Sequence, residues 1–355
     1  MNPKNSNPGE SSEAVLADEE LLPDCYDRDL VRSTKQFAEE SAWRSWWHFW
    51  STLGVLASLV TVVCIAEPWY VRLSASFLFG LVNVRMFILY HDYEHGTLLG
   101  NSRFAGWVLK GYGLAALNPS SIWRRSHDHH HRNNAKIFGA SIGSYPVMTV
   151  EAYRNAKRSE RLAYAISRNP ATIALGYLTI FLWGMCLRSL LTNPRLHFDS
   201  AVALVLHFGL LIWALLVSPS LAILLIVLPT GVAAALGAYL FYAQHNFPGV
   251  RLRPRNDWTY VFAALHSSSF IHMGPILRWL TGDIGYHHVH HLNARIPFYR
   301  LAEAMAGIKG LQSPVTTSLS VADIWRCFRL KLWDDETDRM VPFSAAFQPT
   351  RATPA

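Results

Sequence analysis

Apolar residues in this chain gather into long blocks separated by polar, charge-bearing stretches, unlike the short alternations of a soluble domain. The first block runs from about residue 49 to 67 and closes at Glu67-Pro68; the second runs from about 70 to 90 and ends at His91. Each approaches the roughly 20 residues a helix needs to cross a bilayer. Their link (Glu67, Pro68, Trp69) suits only a tight, uncharged hairpin turn. Three more blocks follow, at about 171–191, 201–217 and 221–243, and Ser218-Pro219-Ser220 joins the last two in a second hairpin. The aromatic run SAWRSWWHFW at 41–50 reads as an interfacial belt.

The stretches between blocks are read by the same pattern. Residues 1–40 are polar and acidic with little periodicity, and are expected to form a disordered arm. Phe104 to Ala116 is apolar but too short to span, and is expected against the membrane surface. Val321 to Trp333 has apolar residues at helical spacing and predicts an amphipathic helix. Residues 343–355 read as a loose tail. The reading divides the chain into an arm (1–40), a membrane domain (41–310) and a C-terminal cytoplasmic segment (311–355).

Composition agrees with the blocks: 51% of the 355 residues are hydrophobic and 16% charged, against about 25% charged in soluble domains. The net charge is +7 and the positive residues flank the apolar blocks, as the positive-inside rule places them in cytoplasmic segments. That distribution assigns the basicity to membrane topology and partner docking rather than nucleic acid. The four cysteines (Cys25, Cys64, Cys186, Cys327) form no C-x-x-C pair, so neither a disulfide framework nor an iron–sulfur or zinc signature is present. With no apolar leader ahead of the first block, both termini are expected in the cytoplasm.

Three histidine clusters carry the chemistry. They read HDYEH at 91–95, HDHHH at 127–131 and HHVHH at 287–291, with spacings H-x-x-x-H, H-x-x-H-H and H-x-x-H-H. On a helix each spacing stacks imidazoles on one face, and neutral imidazole is the commonest nitrogen ligand of transition metals. Eight rings from three places suit a multinuclear centre: His91, His95, His127, His130, His131, His287, His290 and His291. His129 and His288 face differently and are assigned ordinary polar roles. The interleaved Asp92, Glu94 and Asp128 are candidate acceptors for imidazole N–H groups, and Asp283 is a candidate reaching the metal region through water.

If the clusters share one centre, an even number of crossings must separate the second from the third. The three blocks between them therefore cannot all span. The block at 171–191, with Arg188 and Arg195 at its far end, is expected to be half-embedded. The fold class expected is an all-α integral membrane protein, with four spans in two hairpins beneath a cytoplasmic helical cap.

These stretches resemble the membrane fatty acid desaturases, the non-haem di-iron enzymes with three histidine boxes. HDYEHG at 91–96, WRRSHDHHH at 123–131 and TGDIGYHHVHHLNARIPFYRL at 281–301 carry the resemblance, which covers roughly residues 45–310. The likeness is to the acyl-lipid, delta-12 or omega-6 type. It implies a ninth metal ligand, His245 in FYAQHNF. It also implies two iron ions, O2 as co-substrate, a fatty acyl lipid or acyl thioester substrate, and an external electron donor such as ferredoxin or cytochrome b5. Position 241 is Phe where acyl-CoA desaturases carry Asn, which departs from the animal type. A related di-iron hydroxylase or carotenoid ketolase would use similar boxes; a non-catalytic membrane metal-binding protein is the alternative of another class.

Overall fold

The computed structural model describes residues 25–137 and 144–348. Four helices among the described residues are long and apolar enough to cross a membrane: α2 (Ala42–Ile65), α3 (Trp69–Glu94), α10 (Phe198–Val217) and α11 (Pro219–His245). They outrun the apolar blocks because the flanking polar and aromatic residues stay helical. In a bilayer each backbone N–H and C=O needs an internal partner, and the helix supplies it. α3 and α11 thereby run on, delivering His91 and His245 to their ends.

The helices are not equivalent. Buried positions make up 56% of the apolar stretch of α3, against 17–22% in the other three. α3 is therefore the central helix, packed between α2 and α11. Where α3 meets α11 the contact needs a glycine: a Cβ on Gly80 would lie 2.7 Å from Val232 Cβ and 2.9 Å from the Pro229 carbonyl. α3 also carries a buried cation. Arg85 donates to Thr52 Oγ1 at 3.0 Å and the Trp279 carbonyl at 2.5 Å, and its Nη2 meets His48 Nδ1 at 2.8 Å. A charge inside a membrane helix is costly without such partners, and here they lock α2, α3 and the chain near residue 280 together.

The cap is built from short helices. α1 (Cys25–Thr34) precedes the first span, α4 (Arg103–Ala115) and α5 (Ser120–Asn133) follow the second, and α6 (Val150–Asn155), α7 (Arg158–Ser167) and α8 (Pro170–Ala174) lead to α9 (Tyr177–Thr192). After α11 come α12 (Tyr260–His266), α13 (Pro275–Leu280), α14 (His287–Leu292), α15 (Leu301–Gly307) and α16 (Val321–Arg329). One core runs without interruption from Phe49 and Leu89 in the spans to Val289 and Trp333 in the cap.

Two expectations are revised. Residues 25–40 are not a loose arm: Leu30 and Val31 of α1 join the main core, and Asn293 Nδ2 donates to Thr34 Oγ1 at 2.8 Å. Two apolar side chains amid polar neighbours suffice once a partner surface is present. Residues 1–24 lie outside the described residues. The amphipathic run to Trp333 is broken, because Asn246, Arg168 and Tyr242 all donate to the Leu330 carbonyl and end α16. Its remainder forms a strand. The helical membrane fold is as expected, and short strands are added to it. β1 (Met148–Thr149) is parallel to β4 (Leu332–Asp334), which is antiparallel to β5 (Arg339–Val341); β2 (Phe270–His272) is parallel to β3 (Thr316–Ser318). They fasten the C-terminal segment to the cap. In the expected tail, Phe343–Phe347 is helical, and residues 349–355 lie outside the described residues.

Candidate metal centre

Four elements deliver nine imidazoles to one place. His91 and His95 stand at the cytoplasm-facing end expected for α3, one turn apart. His127, His130 and His131 lie on α5, whose N-terminus is anchored by a side chain from another span. Asp199 of α10 accepts from Ser121 N at 2.8 Å and Ser121 Oγ at 2.5 Å, placing a carboxylate where the helix dipole favours it. His245 ends α11. α14 presents His287, His290 and His291 after a turn in which Gly282 (φ +53°) and Asp283 (φ +50°) are both left-handed. A Cβ on Gly282 would also strike Ile88 at 2.7 Å.

The rings sort into two groups. His91, His95, His127 and His290 form one, and His130, His245, His287 and His291 the other; within each, the ligand atoms lie within 4.8 Å of one another. In the second group the Nε2 atoms close a ring, His130–His245 3.0 Å, His245–His287 2.9 Å, His287–His291 3.1 Å and His291–His130 3.2 Å. In the first, Nε2 contacts run from His91 to His127 at 3.0 Å, on to His131 at 3.1 Å, and to His290 at 3.1 Å. His131 therefore belongs with the first group.

Polar groups around the rings decide which nitrogen faces inward. His91 Nδ1 lies 2.9 Å from Asp92 Oδ1, whose other oxygen accepts from the Phe298 N–H at 2.7 Å. His245 Nδ1 donates to the Ser267 carbonyl at 3.0 Å, and His130 Nδ1 meets Ser144 Oγ at 2.7 Å. An N–H spent outward leaves the Nε2 lone pair pointing in. Burial then keeps the rings neutral. His127, His130, His131, His287, His290 and His291 are all held well below the ordinary imidazole range, by burial first and by neighbouring histidines second. His95 falls to about 3, through burial and then Arg124.

This donor set fits metal ions. Neutral imidazoles whose lone pairs converge at about 3 Å repel unless a cation lies between them. Nitrogens about 3 Å apart are also what adjacent ligands at about 2.1 Å from one ion present. His95 Nε2 is buried without a hydrogen-bond partner. Two groups suit two ions.

The candidate carboxylates have different fates. Asp92 orients His91 as expected. Glu94 instead accepts from Ser120 Oγ at 2.7 Å and pairs with Arg124 at 3.1 Å. Asp283 pairs with Arg278 at 2.6 Å and so braces the turn before α14. Asp128 is half-buried, its carboxyl raised by burial and lowered by Arg132 and Arg124. His288 turns away, toward the Leu311 carbonyl at 3.2 Å. Sequence reasoning missed Ser267, Ser144, Asp199 and the buried Arg168, which donates to the Asn246 side chain beside His245. Only the H-S-S-S run at 266–269 hinted at any of them.

A cavity of about 840 Å³ opens onto both groups: His91, His127 and His287 line it. From there it follows α3 back to Phe79, about 18 Å along the helix at 1.5 Å per residue. Its walls come mainly from α3, α9 and α11, with Val84, Ile180, Phe181, Ala234 and Phe241 among them. The shape admits a long apolar chain with one end against the imidazoles.

Comparison with known proteins then adds an independent line. The family model described as "Fatty acid desaturase" matches residues 67–315. A "Fatty acid desaturase" of Bacillus subtilis is 32% identical over 273 residues, 74% of each chain. An "sn-1 oleoyl-lipid 12-desaturase" of Synechocystis sp. is 25% identical, covering 79% of this chain and 81% of its own length. An "sn-1 acyl-lipid omega-3 desaturase (ferredoxin)" of Synechocystis sp. is 24% identical over 83% of each.

Proposed function

From the premise that the chain belongs to the fatty acid desaturase family, we propose that it introduces a double bond into an acyl chain esterified to a membrane lipid. It does so with O2 as co-substrate and two iron ions held by His91, His95, His127, His130, His131, His245, His287, His290 and His291. The observation that carries this reading is the apolar cavity meeting both histidine groups. The overall change breaks two C–H bonds and forms one C=C. With two electrons and two protons supplied from outside, O2 leaves as two waters. Bound iron would supply the oxygen activation that such C–H cleavage demands.

The chain's own residues hold, orient and exclude. Asp92, Ser267 and Ser144 fix the outward nitrogens of His91, His245 and His130. Trp123 stacks on His127 with ring centroids 4.5 Å apart, limiting its rotation. Phe87, Ile88 and Phe241 wall the histidine end of the cavity with apolar surface, which aligns methylenes and keeps bulk water off them. The lipid substrate follows the relatives whose names specify acyl lipids. We place the cap, the site and both termini in the cytoplasm of a multi-pass membrane protein (the inner membrane in a bacterium), with α9 half-embedded.

Gas chromatography–mass spectrometry of lipids from a host expressing the chain tests this directly. A new double bond in phospholipid acyl chains, dependent on oxygen, is expected. Hydroxylated or keto products would sink the desaturase reading; zinc bound without oxygen consumption would sink the enzyme.

A further inference from the structure

Electrons for this reaction must cross from outside the protein to buried imidazoles. Close beside the ends of α5 and α11 lies a surface bearing Lys136, Arg251, Arg253 and Arg255. Backbone bonds brace it: Ile137 N donates to the Arg253 carbonyl at 3.0 Å and Arg253 N to the Ala135 carbonyl at 3.1 Å. Arg251 and Arg255 are exposed. Asp338 offsets part of the charge, 2.6 Å from Arg253 and 3.6 Å from Arg251. The arginines act on their neighbours: His266 is lowered by burial and then by Arg251 and Arg253, and Lys136 by burial and then by Arg255.

Two short bonded routes lead inward from this surface. The Ser267 hydroxyl donates to the Arg251 carbonyl, and the Ser267 carbonyl accepts from His245 Nδ1 at 3.0 Å. Beside it, Lys136 Nζ sits 3.9 Å from the Trp258 ring centroid, and Trp258 Nε1 donates to the Asn134 carbonyl at 2.7 Å, just beyond His131 on the chain. Asn134 Nδ2 donates to Ser268 Oγ at 3.1 Å and so ties the routes together. Arg124, near His95, is by contrast committed to Glu94.

We propose that an acidic one-electron carrier protein docks over Lys136, Arg251, Arg253 and Arg255, and that electrons pass from there through Ser267 to His245. The proposal rests on the di-iron reading above. Complementary charge accelerates encounter and falls away with salt, while the bonded path ties this face to the site.

The test uses the full chain in nanodiscs, with a [2Fe–2S] ferredoxin and a cytochrome b5 as acidic carriers. Carrier binding is measured on metal-free protein, and reduction of the iron-loaded protein by stopped flow. R251E combined with R255E is expected to weaken binding of at least one carrier and slow its electron delivery about tenfold at low salt. Reduction by dithionite is expected to stay unchanged. S267A is expected to slow carrier-driven reduction with binding intact. Binding unaffected by the double charge reversal overturns the surface, and S267A with wild-type rates overturns the route. An effect confined to anionic nanodiscs and lost in zwitterionic ones also overturns it, assigning the patch to lipid headgroups. If dithionite leaves the loaded protein unreduced, the di-iron reading fails instead, and the metal-free binding measurement still decides the docking surface.

Discussion

Asp92 has two oxygens and two donors, the His91 Nδ1–H and the Phe298 N–H. Asp92→Asn keeps the shape but leaves one acceptor oxygen for both, so one buried donor loses its partner. We expect metal affinity to fall about 10–100-fold, read by metal titration, with the protein still folded. The neutral histidines set a pH dependence whose sign follows from burial. His95, His127, His130, His131, His287, His290 and His291 are lowered in the folded chain. The unfolded chain therefore binds more protons below the ordinary value of about 6.5. The stabilisation they confer is full above about 6.5 and is lost as pH falls toward the folded values, by about 1.4 kcal/mol per pH unit for each histidine titrating only in the unfolded chain. Metal-free protein followed by circular dichroism should lose structure on mild acidification; stability flat between pH 7 and 5 contradicts the neutral cluster. At this scale the eight clustered histidines were legible from spacing alone, because i, i+3 and i+4 positions share a helix face. His245 was not: a single ring at a helix end carries no periodic signal, and only the resemblance nominated it.

The spans were legible because length and apolarity follow from bilayer thickness and need no tertiary information. What the pattern could not say is which span is enclosed. α3 reads much like its neighbours, yet it is the one buried among them, and Gly80 makes its approach to α11 possible. Gly80→Leu drives a side chain into Val232 and the Pro229 carbonyl. It should cost about 1–3 kcal/mol, seen as a lower midpoint in detergent unfolding. The short strands and the end of α16 were invisible for a related reason. The end of α16 depends on Arg168, Asn246 and Tyr242 reaching Leu330, and strands such as β1 and β4 on pairing between distant parts of the chain.

Across the whole molecule, the arrangement of the histidine groups constrains topology. α3, α5, α11 and α14 bring their rings to one centre, so residues 192–200 at the end of α9 should share its side of the membrane. Single cysteines placed there should react with an impermeant maleimide only after cytoplasmic access is opened; labelling from outside contradicts four spans. The cavity gives a second prediction. Gly237 lines it, and a Cβ there meets nothing within 4 Å. Gly237→Phe should fill the channel, depress turnover of long acyl chains more than short ones, and leave metal content unchanged. The sequence by itself determined the membrane class, the spans, the two hairpins and the histidine clusters, since each follows from local composition and helical spacing. Only the tertiary structure decided how nine rings divide into two groups, which polar atoms aim them, and where the apolar cavity runs. Those properties are set by contacts between residues far apart in the chain, and no local periodicity encodes them.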